Sequence, residues 1–347
     1  MVTKHLNVTT ENIETAAQIL QEGGLVAFPT ETVYGLGANA FDAIAVGKVY
    51  AAKGRPSDNP MIVHIAEKED LQKLTPMITP LMDLLMEHFW PGPLTMVVNK
   101  APGIPDVTTG GLDTVGVRLP SNQTARDLIR KSTCPIAAPS ANVSGRPSPT
   151  KAKHVVEDLD GRIDAILMGE DCQVGIESTV VDVSGDNVVL LRPGIITQQE
   201  LQQAVRGLGK KVEMDPALFI NRPRDVSKGQ LLEVETEDFK PKAPGMKYKH
   251  YAPKAEMIII SGEMGKVKAE IEKLQSENEL NGKKVGVIIF AETELQRAAH
   301  DFFAKLRELD GQGVDLILAG ALDDSDGIGF AVMNRMMKSA GYNVIKL

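Results

Sequence analysis

From residue 255 onward the chain alternates apolar strand-like runs with helix-like runs, one for one, and this most narrows what it can fold into. Strand patterns at 257–261, 284–290, 314–318 and 342–346 are separated by helical patterns at 265–275, 293–309 and 329–339. Strict alternation with apolar strands predicts parallel strands joined by crossover helices, a small open α/β sheet of the Rossmann-like kind. Met333, Met336 and Met337 on the last helix are read as core packing.

The first 209 residues mix the same two elements without that regularity. Residues 10–21 read as a helix capped by Thr9 or Thr10 and stopped at Gly23-Gly24. Strands are expected at 25–28, 61–65, 94–98, 114–118, 135–138 and 165–168. Segments 178–183 and 187–192 alternate across Ser184-Gly185-Asp186, a hairpin signal. Helices are expected at 42–52, 124–131, 151–158 and 197–206, with helix broken by Pro76 and Pro80 inside 71–89. The expectation is a mixed, twisted sheet. Residues 210–254 show little periodicity, so the predicted division is a catalytic α/β domain over 1–209, a linker over 210–254 and the regular domain over 255–347.

Composition sets outer bounds. The 347 residues are 43% hydrophobic and carry a net charge of −8, which argues against coating nucleic acid or membrane through overall charge. Only Cys134 and Cys172 occur, neither in a C-x-x-C pair, and His5, His64, His88, His154, His250 and His300 are scattered. Neither a disulfide framework nor a protein-built transition-metal site is expected. No apolar run approaches a membrane span and residues 1–10 have no leader pattern, so a cytoplasmic location is expected.

Candidate chemistry sits on loops. Lys53-Gly54-Arg55-Pro56-Ser57-Asp58-Asn59-Pro60 ends a helix abruptly and places two cations on a stiff loop suited to phosphate or carboxylate. Residues 137–150, containing Ser140, Asn142, Ser144, Arg146, Ser148 and Thr150, follow a buried strand and offer hydroxyls, an amide and small residues around which backbone N–H groups can approach phosphate. Arg118 and Arg192 end strands. Convergence of these four cations on one cleft would suit a multiply anionic substrate. There is no Walker A sequence, Gly35-x-Gly37-x-x-Ala40 is a poor dinucleotide fingerprint, and Glu177-Ser178-Thr179 has no histidine at triad spacing.

These segments resemble a known family. Pro29-Thr30-Glu31-Thr32-Val33-Tyr34-Gly35-Leu36-Gly37, Lys53-Gly54-Arg55-Pro56 with Asn59-Pro60, Arg118-Leu119-Pro120, Pro139-Ser140-Ala141-Asn142-Val143-Ser144-Gly145 and Ser178-Thr179-Val180 are similar to the YrdC-like domain. Gly245-Met246-Lys247-Tyr248-Lys249-His250-Tyr251-Ala252-Pro253 and the regular C-terminal part resemble the long, two-domain threonylcarbamoyl-AMP synthases, with Ala243 standing where that family has a serine. The resemblance implies that L-threonine, bicarbonate (or carbon dioxide) and ATP give threonylcarbamoyl-AMP and pyrophosphate. The product would feed a separate tRNA threonylcarbamoyl transferase complex, with direct tRNA contact at most weak. It implies Lys53, Arg55, Ser140 and Asn142 as a central tetrad. It implies Arg55, Asn59, Thr114, Ser140, Ser148 and Arg192 at ATP, and Thr32, His64, Arg118, Ala138 and Ser178 at threonine. Mg2+ would arrive on the ATP phosphates. Residues 240–254, with five lysines, two tyrosines, one histidine and no acid, are expected to fold over the cleft as a lid, Tyr251 or His250 touching the ligand. The competing readings are a double-stranded RNA-binding module, disfavoured by only 4% aromatic residues, and a carbamoyl-phosphate-using transferase, disfavoured by the absence of zinc-finger cysteines.

Overall fold

The computed structural model describes residues 1–219, 224–225, 243, 250–325 and 327–347. Its first eleven strands are β1 (Lys4–Asn7), β2 (Val26–Phe28), β3 (Gly35–Asn39), β4 (Ile62–His64), β5 (Leu94–Asn99), β6 (Thr114–Arg118), β7 (Ile136–Ala137), β8 (Ala165–Met168), β9 (Thr179–Asp182), β10 (Val188–Arg192) and β11 (Val212–Met214). They form one sheet in the order β1-β8-β2-β3-β7-β4-β6-β5-β9-β10-β11. It is mixed: β4–β6 and β5–β9 are parallel, whereas β2–β3, β3–β7, β7–β4, β6–β5 and β9–β10 are antiparallel. The predicted 178–192 hairpin is the β9–β10 pair.

A second sheet contains β12 (Arg224–Asp225), β13 (Glu256–Ser261), β14 (Val285–Ile288), β15 (Leu316–Gly320) and β16 (Asn343–Lys346), ordered β12-β16-β13-β15-β14. Every neighbouring pair in it is parallel. The crossover helices Met264–Leu280, Leu295–Gln312 and Gly327–Ser339 fall where alternation put them. Met333 and Met336 are buried in its core, as expected.

Local rules account for the helices that matter to the site. Thr9 caps the helix Thr10–Gln21 by accepting from the Asn12 N–H. Asp42 caps Ala43–Lys53 through the N–H groups of Ile44 and Ala45, and Gly54, at φ 60°, closes it in the left-handed conformation.

The structure departs from the sequence reading in four places. Gly35-Leu36-Gly37, to which the sequence reading assigned no element, lies in strand β3. A Cβ on Gly37 would sit 2.7 Å from the Ile136 side chain and 2.9 Å from the Phe28 ring, so the glycine serves close packing of strands. Pro80 begins the helix Pro80–Phe89 at a position where its missing N–H costs nothing, instead of breaking one. β1 was not foreseen, because only one of its residues pairs an apolar side chain with partial burial. β11 pairs with β10 in the large sheet although it lies beyond residue 209. Most of the expected lid lies outside the described residues; Ala243 and residues 250–254 lie within them. Ala243 is buried against Val97, Val180 and Leu191, an apolar setting that suits a methyl better than a hydroxyl.

The two sheets share a core. Val33 and Ile176 from the large-sheet part, and Tyr251, pack in one apolar cluster with Met257, Phe302, Phe303 and Met336 of the small-sheet part.

Candidate active site

The helix Ala43–Lys53 delivers its last side chain inward. Lys53 is 1% exposed, and its Nζ donates to the carbonyl oxygens of Ser140 and Asn142, each at 2.5 Å. The Ser144 N–H donates back to the Lys53 carbonyl at 2.8 Å. One lysine therefore pins the loop after β7. Within that loop the Ser140 hydroxyl donates to Asn142 Oδ1 at 2.6 Å, and Asn142 Nδ2 donates to the carbonyls of Val143 and Arg146. Burial, reinforced by the neighbouring Arg55 charge, holds the Lys53 amine well below its ordinary value. Arg55 is fixed by its own loop, donating to the carbonyls of Asn59 at 3.3 Å and Pro60 at 3.0 Å. Burial lowers its pKa to about 10, so it stays cationic at neutral pH.

A second wall comes from the ends of β6 and β10. Arg118, 3% exposed, donates from Nη1 to the Thr32 hydroxyl at 2.8 Å. Its Nη2 lies 2.7 Å from Glu31 Oε1, an ionic contact whose angle is not that of a hydrogen bond. Both Glu31 carboxylate oxygens and Arg118 Nη2 consequently have no hydrogen-bond partner while buried. Arg192 donates to the Ser178 carbonyl and hydroxyl, each at 3.1 Å, and the Ser178 hydroxyl is also 2.7 Å from that of Thr95. Burial brings the Arg192 pKa to about 10. His64 packs edge-on to Phe28, and burial followed by the Arg118 charge pushes its pKa to about 3, leaving it neutral at pH 7.

Between these walls sits Glu177. Its Oε1 accepts from the Ser148 hydroxyl at 2.5 Å and its Oε2 from Arg335 Nε at 3.2 Å, and the Tyr251 ring shares the cavity wall with it. Tyr251 holds φ 63°, a left-handed conformation unfavourable for a tyrosine. It is maintained by the Phe303 ring 5.0 Å away and by the Ala252 N–H bond to the Gly145 carbonyl at 2.8 Å.

Thr32, Arg55, His64, Arg118, Ala138, Ser140, Ser178, Arg192 and Tyr251 line one cavity of about 60 Å³, joined by His250 and Glu177. Lys53, Asn142, Asn59 and Ser148 do not line it; they stand behind it and hold its loops. Thr114 is at the opposite end of β6 from Arg118, roughly 13 Å along the strand. A larger cavity of about 650 Å³ beside Gln202 and Phe330 has, among the described residues, only Arg206 as a charged lining group. The convergence of buried cations marks the smaller cavity as the candidate site.

Comparisons with known proteins bear on this site. The Sua5, YciO and YrdC family model, described as Telomere recombination, matches residues 18–194, and one described as Threonylcarbamoyl-AMP synthase, C-terminal domain, matches residues 196–341. A threonylcarbamoyl-AMP synthase of Pyrococcus abyssi is 45% identical over 96% of each chain. The chain belongs to the threonylcarbamoyl-AMP synthase family. The Bacillus subtilis threonylcarbamoyl-AMP synthase is 43% identical over 99% of this chain and 97% of its own. The crystal structure of P. abyssi Sua5 complexed with L-threonine superposes with a TM-score of 0.89, at 43% identity and full coverage of both chains.

For a synthase of this family, three residues of the site escaped the sequence reading. Glu31 and Glu177 sit beside hydroxyl residues in turn-like segments, where acids are ordinarily solvated. Arg335 is separated from Glu177 by 158 residues and looks in sequence like a solvated helix position. No spacing rule links it to a loop of the other sheet.

Proposed function

We propose that the chain condenses L-threonine, bicarbonate or carbon dioxide, and ATP into L-threonylcarbamoyl-AMP and pyrophosphate. The observation that carries this reading is the convergence of two buried arginines, Arg118 and Arg192, and the half-buried Arg55 on one cavity whose loop is held by Lys53. Threonine carboxylate, carbamate and triphosphate repel one another, and buried fixed cations offset that repulsion far better than solvated ones. The cations' burial also disfavours the double-stranded RNA reading, since a polyanion surface needs exposed charge.

Arg118 suits the threonine carboxylate, with Thr32, His64, Ala138 and Ser178 around the side chain and amine. Arg55 and Arg192 suit the phosphates, with Ser140 beside them on the cavity wall and Asn142, Asn59 and Ser148 holding the loops of the nucleotide side from behind, while Thr114 stands too far along β6 to join them. The carbamate oxygen attacks the α-phosphorus in line and pyrophosphate leaves, so positioning and preorganised charge supply the catalysis without a covalent enzyme intermediate. Mg2+ would arrive on the ATP phosphates, held by phosphate oxygens and water. When bound, the ion would neutralise phosphate charge.

A cavity of about 60 Å³ is far below the several hundred Å³ of ordinary ligand pockets, so ATP requires outward movement of the His250-Tyr251 wall. This supports residues 210–254 acting as a lid between a catalytic part ending near 209 and a C-terminal part from 255, with β11 as an extra edge strand of the catalytic sheet. Transfer of the product to tRNA falls to a separate complex. The proposed location is the cytoplasm; among the described residues no helix is long and apolar enough to cross a membrane.

The test is incorporation of labelled bicarbonate into an adenylate, and pyrophosphate release that requires threonine. Lys53→Ala and Arg55→Ala should each lower kcat/KM by about 10²–10³-fold. A methyl pocket separates threonine from serine by about 10–200-fold, so slow use of serine is expected. Pyrophosphate release indifferent to threonine would sink the reading.

A further inference from the structure

We propose that Arg335, carried by the small parallel-sheet part, is a positioning residue for the nucleotide half of the site: by neutralising the buried Glu177 carboxylate it keeps the Arg192 guanidinium available to the ATP phosphates. This rests on the ATP reading above.

Arg335 is fully buried, yet it belongs to a helix of the other sheet. Its guanidinium spans the junction. Nε donates to Glu177 Oε2 at 3.2 Å, Nη2 to the Glu177 carbonyl at 3.4 Å, and Nη1 to the Ala331 carbonyl at 3.2 Å and to the carbonyl of Pro193, the residue after Arg192. Glu177 meanwhile lies on the cavity wall beside Tyr251 and orders Ser148. An uncompensated carboxylate so deeply buried takes the nearest available cation. Arg192 lies within electrostatic reach of Glu177. Lys338, one turn along, also faces this cluster; burial followed by the Arg335 and Arg192 charges lowers its pKa to about 7, and although loss of Arg335 lifts one of those charges, burial, the largest cause, still disfavours the ammonium as the replacement partner. Loss of Arg335 should therefore turn Glu177 into a competitor of the phosphates for Arg192. The threonine side should be spared, because the Ser178 hydroxyl keeps Thr95 and Arg118 keeps Thr32.

The experiment measures ATP and threonine kinetics and calorimetric threonine binding for wild type, Arg335→Met, Arg335→Lys and Arg335→Met with Glu177→Gln. Arg335→Met should raise KM for ATP by about tenfold or more with a smaller change in kcat, and leave threonine affinity within about twofold. The double variant, which removes both charges, should return KM to within about threefold of wild type, as should Arg335→Lys, which keeps the charge. If Arg335→Met does not fold, Arg335→Lys decides: a tenfold rise there would mean that shape rather than charge is needed and would overturn the proposal. An unchanged KM in Arg335→Met, or equal loss of ATP and threonine binding without recovery in the double variant, would also overturn it. A wild-type protein that makes no adenylate would overturn the functional reading itself.

Discussion

Arg118 and Glu31 show how one residue can serve stability and function together. Their 2.7 Å contact is almost fully desolvated, and neither Glu31 oxygen has a hydrogen bond to soften its charge. Removing one partner strands the other, which costs about 3–5 kcal/mol for buried pairs. Arg118→Ala should destabilise the fold by about that amount as well as abolish threonine binding, and Glu31→Gln, which leaves the buried guanidinium without its counter-charge, should cost a comparable amount of stability. Equal melting temperatures for wild type and Arg118→Ala would contradict the ionic account. Lys53, Arg55, Arg118 and Arg192 were legible in the sequence because each stands at the end of an element in or near a glycine- or proline-containing loop, where a chain of ordinary composition has no packing use for it. Their anionic partners were not legible. An acid buried beside an arginine and an acid in solvated turn have the same local sequence, and only tertiary folding separates them.

At the scale of elements, the alternating C-terminal part could be read almost strand by strand, because every crossover helix covers an apolar parallel strand and the two patterns reinforce each other. β3 could not. Its Gly-Leu-Gly sequence has the composition of a turn, and it forms a strand because Phe28 and Ile136 on either side leave room only for hydrogen. Gly37→Ala should accordingly overpack the sheet and destabilise by about 1–3 kcal/mol. Gly47 offers the control. It lies inside the helix Ala43–Lys53, and a Cβ there meets nothing within 4 Å. Gly47→Ala should stabilise by about 0.5–1 kcal/mol through helix propensity. Urea midpoints of the two variants test both signs, and a neutral Gly37→Ala would mean that the strand spacing adjusts freely.

At the scale of the molecule, the junction between the sheets is built from buried charge at two points. Arg335 meets Glu177 at one; at the other, Arg307 of the helix Leu295–Gln312 donates to Asp158 Oδ2 at 2.8 Å and to the Pro147 carbonyl at 2.6 Å, while Arg146 pairs with the same Asp158. Three histidines lie on or near this junction and the cavity. His154 gives its carbonyl to Arg307, His250 lies on the docked segment, and His64 lines the cavity with His250. Burial first, then the nearby cations, pushes each of the three to about 3 from an ordinary 6.5. The unfolded chain thus binds more protons than the folded one between those values. Stability from these groups is complete above about pH 6.5 and is lost as the pH falls toward 3. At pH 5 each histidine should cost at most about 2 kcal/mol, since one pH unit corresponds to about 1.4 kcal/mol per proton. The urea midpoint should drop between pH 7 and pH 5, with proton uptake on unfolding at the lower pH. Acidification should also loosen the junction before the small parallel sheet itself, because the titrating groups sit at the junction and the cavity and not in that sheet's strands. Hydrogen exchange at pH 5 should therefore show earlier loss of protection at residues 139–159 and 250–252 than in β13 and β15. A midpoint independent of pH over this range would mean that the three imidazoles are hydrated in solution, and that charge does not hold the halves together.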